Sequence, residues 1–340
     1  MIDHLKQMHM SFRILILLIV LALVSGACGP GERAKDKKQE VVEKNINVPA
    51  LNSDSAYAYV KKQVDFGPRV PGSGAHARCA EWLEQKMQGF ADTVMVQSFR
   101  ARAYNGKVLR GKNIIGVFNP GSKKRILLCA HWDSRPYADH DPDPSNHNTP
   151  IDGANDGASG VGVLLEIARQ FSMEQPPTGV DIIFFDLEDY GPPQDAQNYA
   201  GEDHWGLGSQ YWSRNPHETN YRARYGILLD MVGVKDATFL QEGFSMTYAP
   251  ARVRKVWGLA QDLGYGSYFP SERGSYITDD HYYINTIINI PTINIIHLDA
   301  SSANGSFFDH WHTVNDNMEH IDKNTLKVVG TVVLNVVYRE

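Results

Sequence analysis

The sequence predicts an α/β fold: a single-domain sandwich in which helices flank a central, mostly parallel mixed β-sheet. Three observations predict it. Apolar runs of strand length alternate along the chain with longer segments of helical periodicity, the pattern of a sheet with helices on its faces. Two of those runs, Arg125 to Ala130 and Val180 to Phe185, are apolar almost throughout, as strands buried on both faces are. Residues able to do chemistry fall just after such runs, where open α/β sheets place their sites.

The first segment stands apart from the fold. Lys6 and Arg13 precede eleven apolar residues, Ile14 to Val24. That is too short for a bilayer core, which takes about 20 residues, and it suits the apolar centre of an export signal. Ser25-Gly26-Ala27-Cys28 follows and resembles a bacterial lipobox, although Ser25 stands where Leu is usual. Residues 1–28 are therefore expected to be a lipoprotein signal, with Cys28 the lipidated residue. The protein is then exported and lipid-anchored to a bacterial membrane, facing the periplasm. An ordinary signal cleaved after Ala27 is the alternative. Residues 29–52, rich in Gly, Pro, Lys, Glu and Asn, read as a flexible tether, and one folded domain occupies 53–340.

The elements of that domain follow in order. Ser53-Asp54-Ser55 is placed to cap a helix through Tyr57, Val60 and Val64. Gly and Pro make Phe66 to Ser73 a turn, and a second helix runs from Ala75 to about Phe90. Strands are expected at 94–99, 113–118, 125–130, 180–185, 226–229 and 291–298, and helices at 158–171, 251–263 and 325–337. Cys79 and Cys129 sit among apolar neighbours and read as buried thiols without a catalytic role. The net charge of -6 argues against a nucleic-acid partner, which calls for a basic face.

His131-Trp132-Asp133, Asp186 to Asp189, Asp230 and His297 each stand at the end of an expected strand, and the loop Asp152 to Gly160 carries Asp156. Singly, each has an ordinary explanation; Asp156 could merely cap the helix after it. Together they bring carboxylates and imidazoles to one sheet edge, a donor set that suits zinc.

The order His131-x-Asp133, Asp156-Gly-x-Ser-Gly, Glu188-Asp189, Asp230, Asp280-His281 and His312 resembles the zinc aminopeptidase clan from about residue 54 onward. The resemblance implies Asp156, Asp189 and His312 as zinc ligands and Glu188 as general base. Asp189 departs from the usual second Glu by one methylene.

Two activities share that scaffold, two-zinc aminopeptidases and one-zinc glutaminyl cyclases, and the ligand set alone does not separate them. Asp279 before Asp280-His281, Trp311 before His312, and the Phe66 to Ser73 and Leu228 to Gly233 segments resemble the bacterial lipoprotein glutaminyl cyclases of animal type. That implies one zinc ion per chain and peptides or proteins with N-terminal glutamine as substrates. It implies an Asp230–Asp279 pair sharing a proton, and a pocket walled by Trp205 and Trp311. His297 is a further candidate beside the pair. His131 would orient neighbours, Asp280 would be structural, and His310 and His320 would lie at the surface. The loop 190–204 is a candidate cover for the pocket. A catalytically dead ectodomain is the non-enzyme alternative, disfavoured because no ligand position is lost.

Overall fold

The computed structural model describes residues 46–196 and 203–340. The expected signal segment, Cys28 and most of the tether lie outside the described residues, as does part of the 190–204 loop. Among the described residues no helix is long and apolar enough to cross a membrane.

The strands are β1 (Thr93–Arg102), β2 (Val108–Phe118), β3 (Arg125–His131), β4 (Gly179–Phe185), β5 (Gly226–Asp230) and β6 (Thr292–Ile296). They form one six-stranded sheet in the order β1-β2-β4-β3-β5-β6. The centre is parallel: β3 pairs with β4 and β5, and β5 with β6. β1 and β2 form an antiparallel hairpin added antiparallel to β4. The sheet is therefore mixed with a parallel centre, as the apolar runs predict. Every residue of β3, β4, β5 and β6 is buried, whereas β1 is mostly exposed or half-buried.

The helices are α1 (Ser53–Val64), α2 (Gly74–Gln88), α3 (Ala158–Met173), α4 (Leu207–Arg214), α5 (Gly243–Tyr248), α6 (Pro250–Asp262), α7 (Asp280–Tyr283) and α8 (Lys323–Tyr338); α7 runs on into a π-helical turn, Ile284–Ile288. Alternate strand residues serve opposite faces. Leu128 and Ile227 join Leu164, Val329 and Val333 in the core under α3 and α8. Leu127, Cys129 and Leu228 join Ile183 and Trp212 on the other side. Each such aliphatic side chain contributes about 1.5–3 kcal/mol by leaving water.

Two expectations about caps change. Asn52, rather than the Ser53–Ser55 group, caps α1 by accepting the Ser55 N–H. Asp156 caps nothing: Gly157 holds the N-cap of α3 with no side-chain bond. The Asp156 carboxylate is thus free for another purpose. The short helices α4, α5 and α7 were not foreseen, being too brief to show a helical period. Cys79 and Cys129 are free and buried, and burial pushes the Cys79 thiol up to about 12.

Candidate active site

The parallel strands deliver polar residues to one edge. His131 ends β3, Asp230 ends β5, and β4 leads into Asp186 to Asp189. His131 Nε2 lies 3.0 Å from Asp156 Oδ1 and 3.2 Å from Asp230 Oδ1. On the other side, His312 Nε2 lies 3.6 Å from Asp156 Oδ2 and 3.4 Å from Asp189 Oδ1. All five residues are buried. Asp156 therefore stands between two potential metal triads, Asp156–Asp189–His312 and His131–Asp156–Asp230.

Other residues hold this geometry. The Asp316 carboxylate accepts the backbone N–H groups of Asn155 and Asp156 at 2.8 and 3.0 Å. Asp133 accepts those of Glu188 and Asp189 at 3.0 and 3.1 Å, and Asp186 accepts that of Leu187 at 2.8 Å. Leu187 and His312 are both left-handed, with φ of 61° and 54°. That conformation costs a non-glycine residue about 1–2 kcal/mol and persists only where surroundings enforce it. Here the two aspartates enforce the first, and the second is fixed in part by the His140 N–H donating to the His312 carbonyl.

Gly157 is required for space. A Cβ there would lie 2.5 Å from the His131 ring. Gly191 does the same for Trp205, whose indole packs where a side chain would stand. Arg135, absent from the sequence reading, is buried at the centre of the support. It grips both Asp139 oxygens at 2.7 Å and reaches Asp189 Oδ1 at 3.2 Å. Asp139 in turn lies 3.4 Å from His312 Nδ1.

The charge balance favours a cation. Burial, together with Asp279, Asp189 and Asp280, pushes Glu188 well above the usual carboxylate range, although His131 pulls the other way. Burial and Asp279 push Asp230 up to about 7, and burial and Asp156 raise Asp189. Burial opposes the charge of Asp156 too, but its bond to His131 and the imidazole charge outweigh it and lower its pKa. Asp189 Oδ2 is buried without a hydrogen-bond partner. Three converging oxygen and nitrogen donors, surplus buried acid and an orphaned oxygen fit a divalent ion of zinc type.

A cleft of about 250 Å3 opens over this centre. Asp156, Glu188, Asp189, Trp205, Asp230, Asp279, Trp311 and His312 all line it, joined by Met231, Tyr276, Ile277 and Phe307, which the sequence reading did not single out. Trp311 stacks on the His312 ring with centroids 3.7 Å apart, and Trp205 lies parallel to that ring at 6.5 Å. Asp230 and Asp279 are not joined by a direct hydrogen bond among the described residues. Asp279 takes the Asn294 amide at 2.6 Å, and Asp230 takes His131.

His297 does not join the cleft. It lines a separate cavity with His310 and His320, and its Nδ1 accepts the Thr238 N–H at 2.8 Å. Ile296, at the end of β6, does line the cleft, so the next side chain turns away. His281 binds Glu242 at 2.9 Å, and Asp280 is fully buried at the start of α7. His310 and His320 are half-buried, ring on ring at 4.0 Å.

Fold and site together define an α/β protein with a carboxylate–imidazole metal centre at the carboxyl edge of its sheet. The chain belongs to peptidase family M28, whose model matches residues 113–337. It is 55% identical to the glutaminyl cyclase of Bacteroides thetaiotaomicron, over 86% of this chain and 100% of that one, with a TM-score of 0.84. A zinc-dependent exopeptidase of Parabacteroides distasonis is 54% identical over the same shares, with a TM-score of 0.85. The glutaminyl-peptide cyclotransferase of Bos taurus is 28% identical over 357 residues, covering 92% of this chain and 91% of the bovine one.

Proposed function

We propose that this chain is a glutaminyl-peptide cyclotransferase, converting the N-terminal Gln of peptides and proteins to pyroglutamate with release of ammonia and using one zinc ion. The observation that carries the reading is Asp279, a second acid beside Asp230 in a cleft walled by Trp205 and Trp311. Burial and the charge of Asp279 raise the Asp230 pKa, so the two acids do not both ionise readily. A carboxyl that keeps its proton is a poor metal ligand and a good donor to an amide. The likeness to a bacterial glutaminyl cyclase supports the same activity.

Zinc held by Asp156, Asp189 and His312 would supply Lewis acidity at the γ-carbonyl oxygen. The rest falls to the chain. The narrow cleft folds the Gln side chain back on its own α-amine, so that orientation contributes much of the acceleration. Glu188 takes a proton from the α-amine as that nitrogen bonds to the carbonyl carbon of the side-chain amide, then returns it to the departing amide nitrogen, whose bond to that carbon breaks and which leaves as ammonia. Its raised pKa suits a group that must both take and give a proton. Asp230 and Asp279 hold the amide nitrogen. Trp205 and Trp311 exclude water, whose attack would yield glutamate instead.

A di-zinc aminopeptidase is the second reading, favoured by the His131–Asp156–Asp230 triad. Metal content by mass spectrometry and ammonia release from a Gln-initiated peptide, measured on one sample, separate the two. About one zinc per chain with ammonia release is expected. Two zinc ions and free amino acids without ammonia would move the assignment to the aminopeptidase.

The same reading places the enzyme outside the cytoplasm, anchored through a lipid on Cys28 and facing the periplasm. Support comes from the basic and apolar segment before Ser25-Gly26-Ala27-Cys28, which lies outside the described residues. Cys28→Ala should release the protein from the membrane fraction; unchanged fractionation would sink the anchor.

A further inference from the structure

The β1–β2 hairpin carries a feature that the chemistry above does not use. On β2, Ile114 and Gly116 face α2, with Gly116 against Met87. The same face continues outward to Lys112 and Arg110, beyond the start of the helix, and there it turns cationic. Arg100 pairs directly across from Arg110, and Ser98 from Lys112. Residues opposite one another on antiparallel strands share a face, where like charges repel. Among the described residues no side chain of Arg100, Arg102, Arg110 or Lys112 forms an ion pair, although the Lys112 backbone N–H donates to Asp186 at 2.7 Å, and all four residues are exposed. The result is a positive island on a chain of net charge -6. It is also concave: Arg100, Arg110 and Lys112 line a groove of about 540 Å3 against His76 and Ala80 of α2.

The turn of the same hairpin reaches the catalytic residues from the hairpin's other face. At the hairpin turn, Lys107 Nζ lies 3.5 Å from the Tyr190 hydroxyl. Tyr190 follows Asp189, and the next residue, Gly191, carries the Trp205 ring. From Lys107 to Lys112 the strand spans roughly 17 Å at about 3.4 Å per residue, the reach of five or six extended residues.

We infer that this groove holds an acidic stretch of the polypeptide substrate, several residues downstream of its N-terminal Gln, and so selects substrates bearing Asp or Glu there. The inference rests on the cyclotransferase reading. Charge complementarity fixes the chemistry of the occupant. Concavity favours a chain over a flat bilayer.

The test compares two twelve-residue peptides that begin with Gln and share their first five residues. One carries four Glu in its second half, the other four Gln. At low salt the acidic peptide should show a KM at least about five-fold lower with unchanged kcat, since exposed pairs contribute little singly and several act together. The advantage should fade at high salt. It should vanish in Arg100→Glu with Arg110→Glu, while the neutral peptide keeps its wild-type constants. Arg100→Gln with Arg110→Gln should give a weaker version of the same result, should the double reversal fold poorly.

Equal KM values for the two peptides in the wild type would overturn the inference. If neither peptide cyclises, the cyclotransferase reading fails. Fluorescence anisotropy of the labelled acidic peptide then decides the groove: Arg-dependent binding supports it, and no binding overturns it. Arg-dependent binding to phosphatidylglycerol vesicles without any KM advantage would assign the groove to a membrane and overturn the substrate role.

Discussion

Replacing Arg135 by Met should make the stability of this protein depend on metal. The guanidinium is buried and binds two carboxylates at once, Asp139 through two 2.7 Å bonds and Asp189 through one of 3.2 Å. It also lies under the Trp205 ring at 5.0 Å. Methionine keeps much of the apolar volume and removes the charge, leaving two buried acids without their cation. Breaking a buried ion pair by deleting one partner costs about 3–5 kcal/mol. A divalent ion at Asp156, Asp189 and His312 would replace part of the lost charge. Binding only the folded state, it stabilises by about 4 kcal/mol at a thousand times its Kd.

Urea unfolding followed by tryptophan fluorescence, with chelator and with excess zinc, measures both quantities. In chelator the variant should lose about 3–5 kcal/mol against the wild type, and in zinc the gap should narrow. Arg135→Lys keeps a charge but not the planar fork, and should fall between. Equal stability of Arg135→Met and wild type in chelator, or a gap that zinc leaves unchanged, would refute the reasoning.

Glu188→Gln should lower turnover by roughly 10^2 to 10^4 while zinc stoichiometry stays as in the wild type, as for loss of a general base; loss of zinc in the variant would make Glu188 a ligand instead. Burial works against the charge on Glu242, but the bond and charge of His281 and the Ile277 N–H hold its pKa down at about 2. With the folded value below the unfolded one near 4.5, the unfolded chain binds more protons between those values. The stabilisation, on the order of 3 kcal/mol, is therefore complete above pH 4.5 and lost as pH falls toward 2. Glu242→Gln should show little of that acid sensitivity in urea titrations at pH 6 and pH 3, and a wild-type-like slope would contradict the assignment. Gly157→Ala pushes a methyl into the His131 ring and should cost about 1–3 kcal/mol by overpacking, read as a lowered melting temperature; an unchanged melting temperature would show that His131 yields freely.

The parallel centre was legible because β3, β4 and β5 are buried on both faces, which leaves runs of apolar letters broken inside only by Asp181 of β4, the buried partner of Arg125. Glu188, Asp189 and Asp230 at or just past the ends of those runs, with Asp156 and His312 in loops, could be matched to a motif order. What escaped was set by contacts between residues far apart in the chain. Arg135 acts on Asp189, and Asp316 holds Asn155 and Asp156 from the far end of the sequence. Nothing local marks either one as special. His297 misled because it follows a strand directly, and the strand's two-residue period sends it away from the cleft that Ile296 enters. The hairpin was foreseen too short, since β1 is mostly outside the core and lacks the apolar signature of the central strands.

The placement of the first described residues has one more consequence. The Asn47 side chain binds Glu174 just past the end of α3, and Leu51 is buried against Gly330, while Gln63 at the end of α1 reaches Ala158 at the start of α3. The polypeptide thus joins the domain at the end of α3 remote from Asp156, about 24 Å away along sixteen residues of helix. A label or support joined ahead of Ile46 is therefore attached to the domain at the base of α3 rather than beside the cleft.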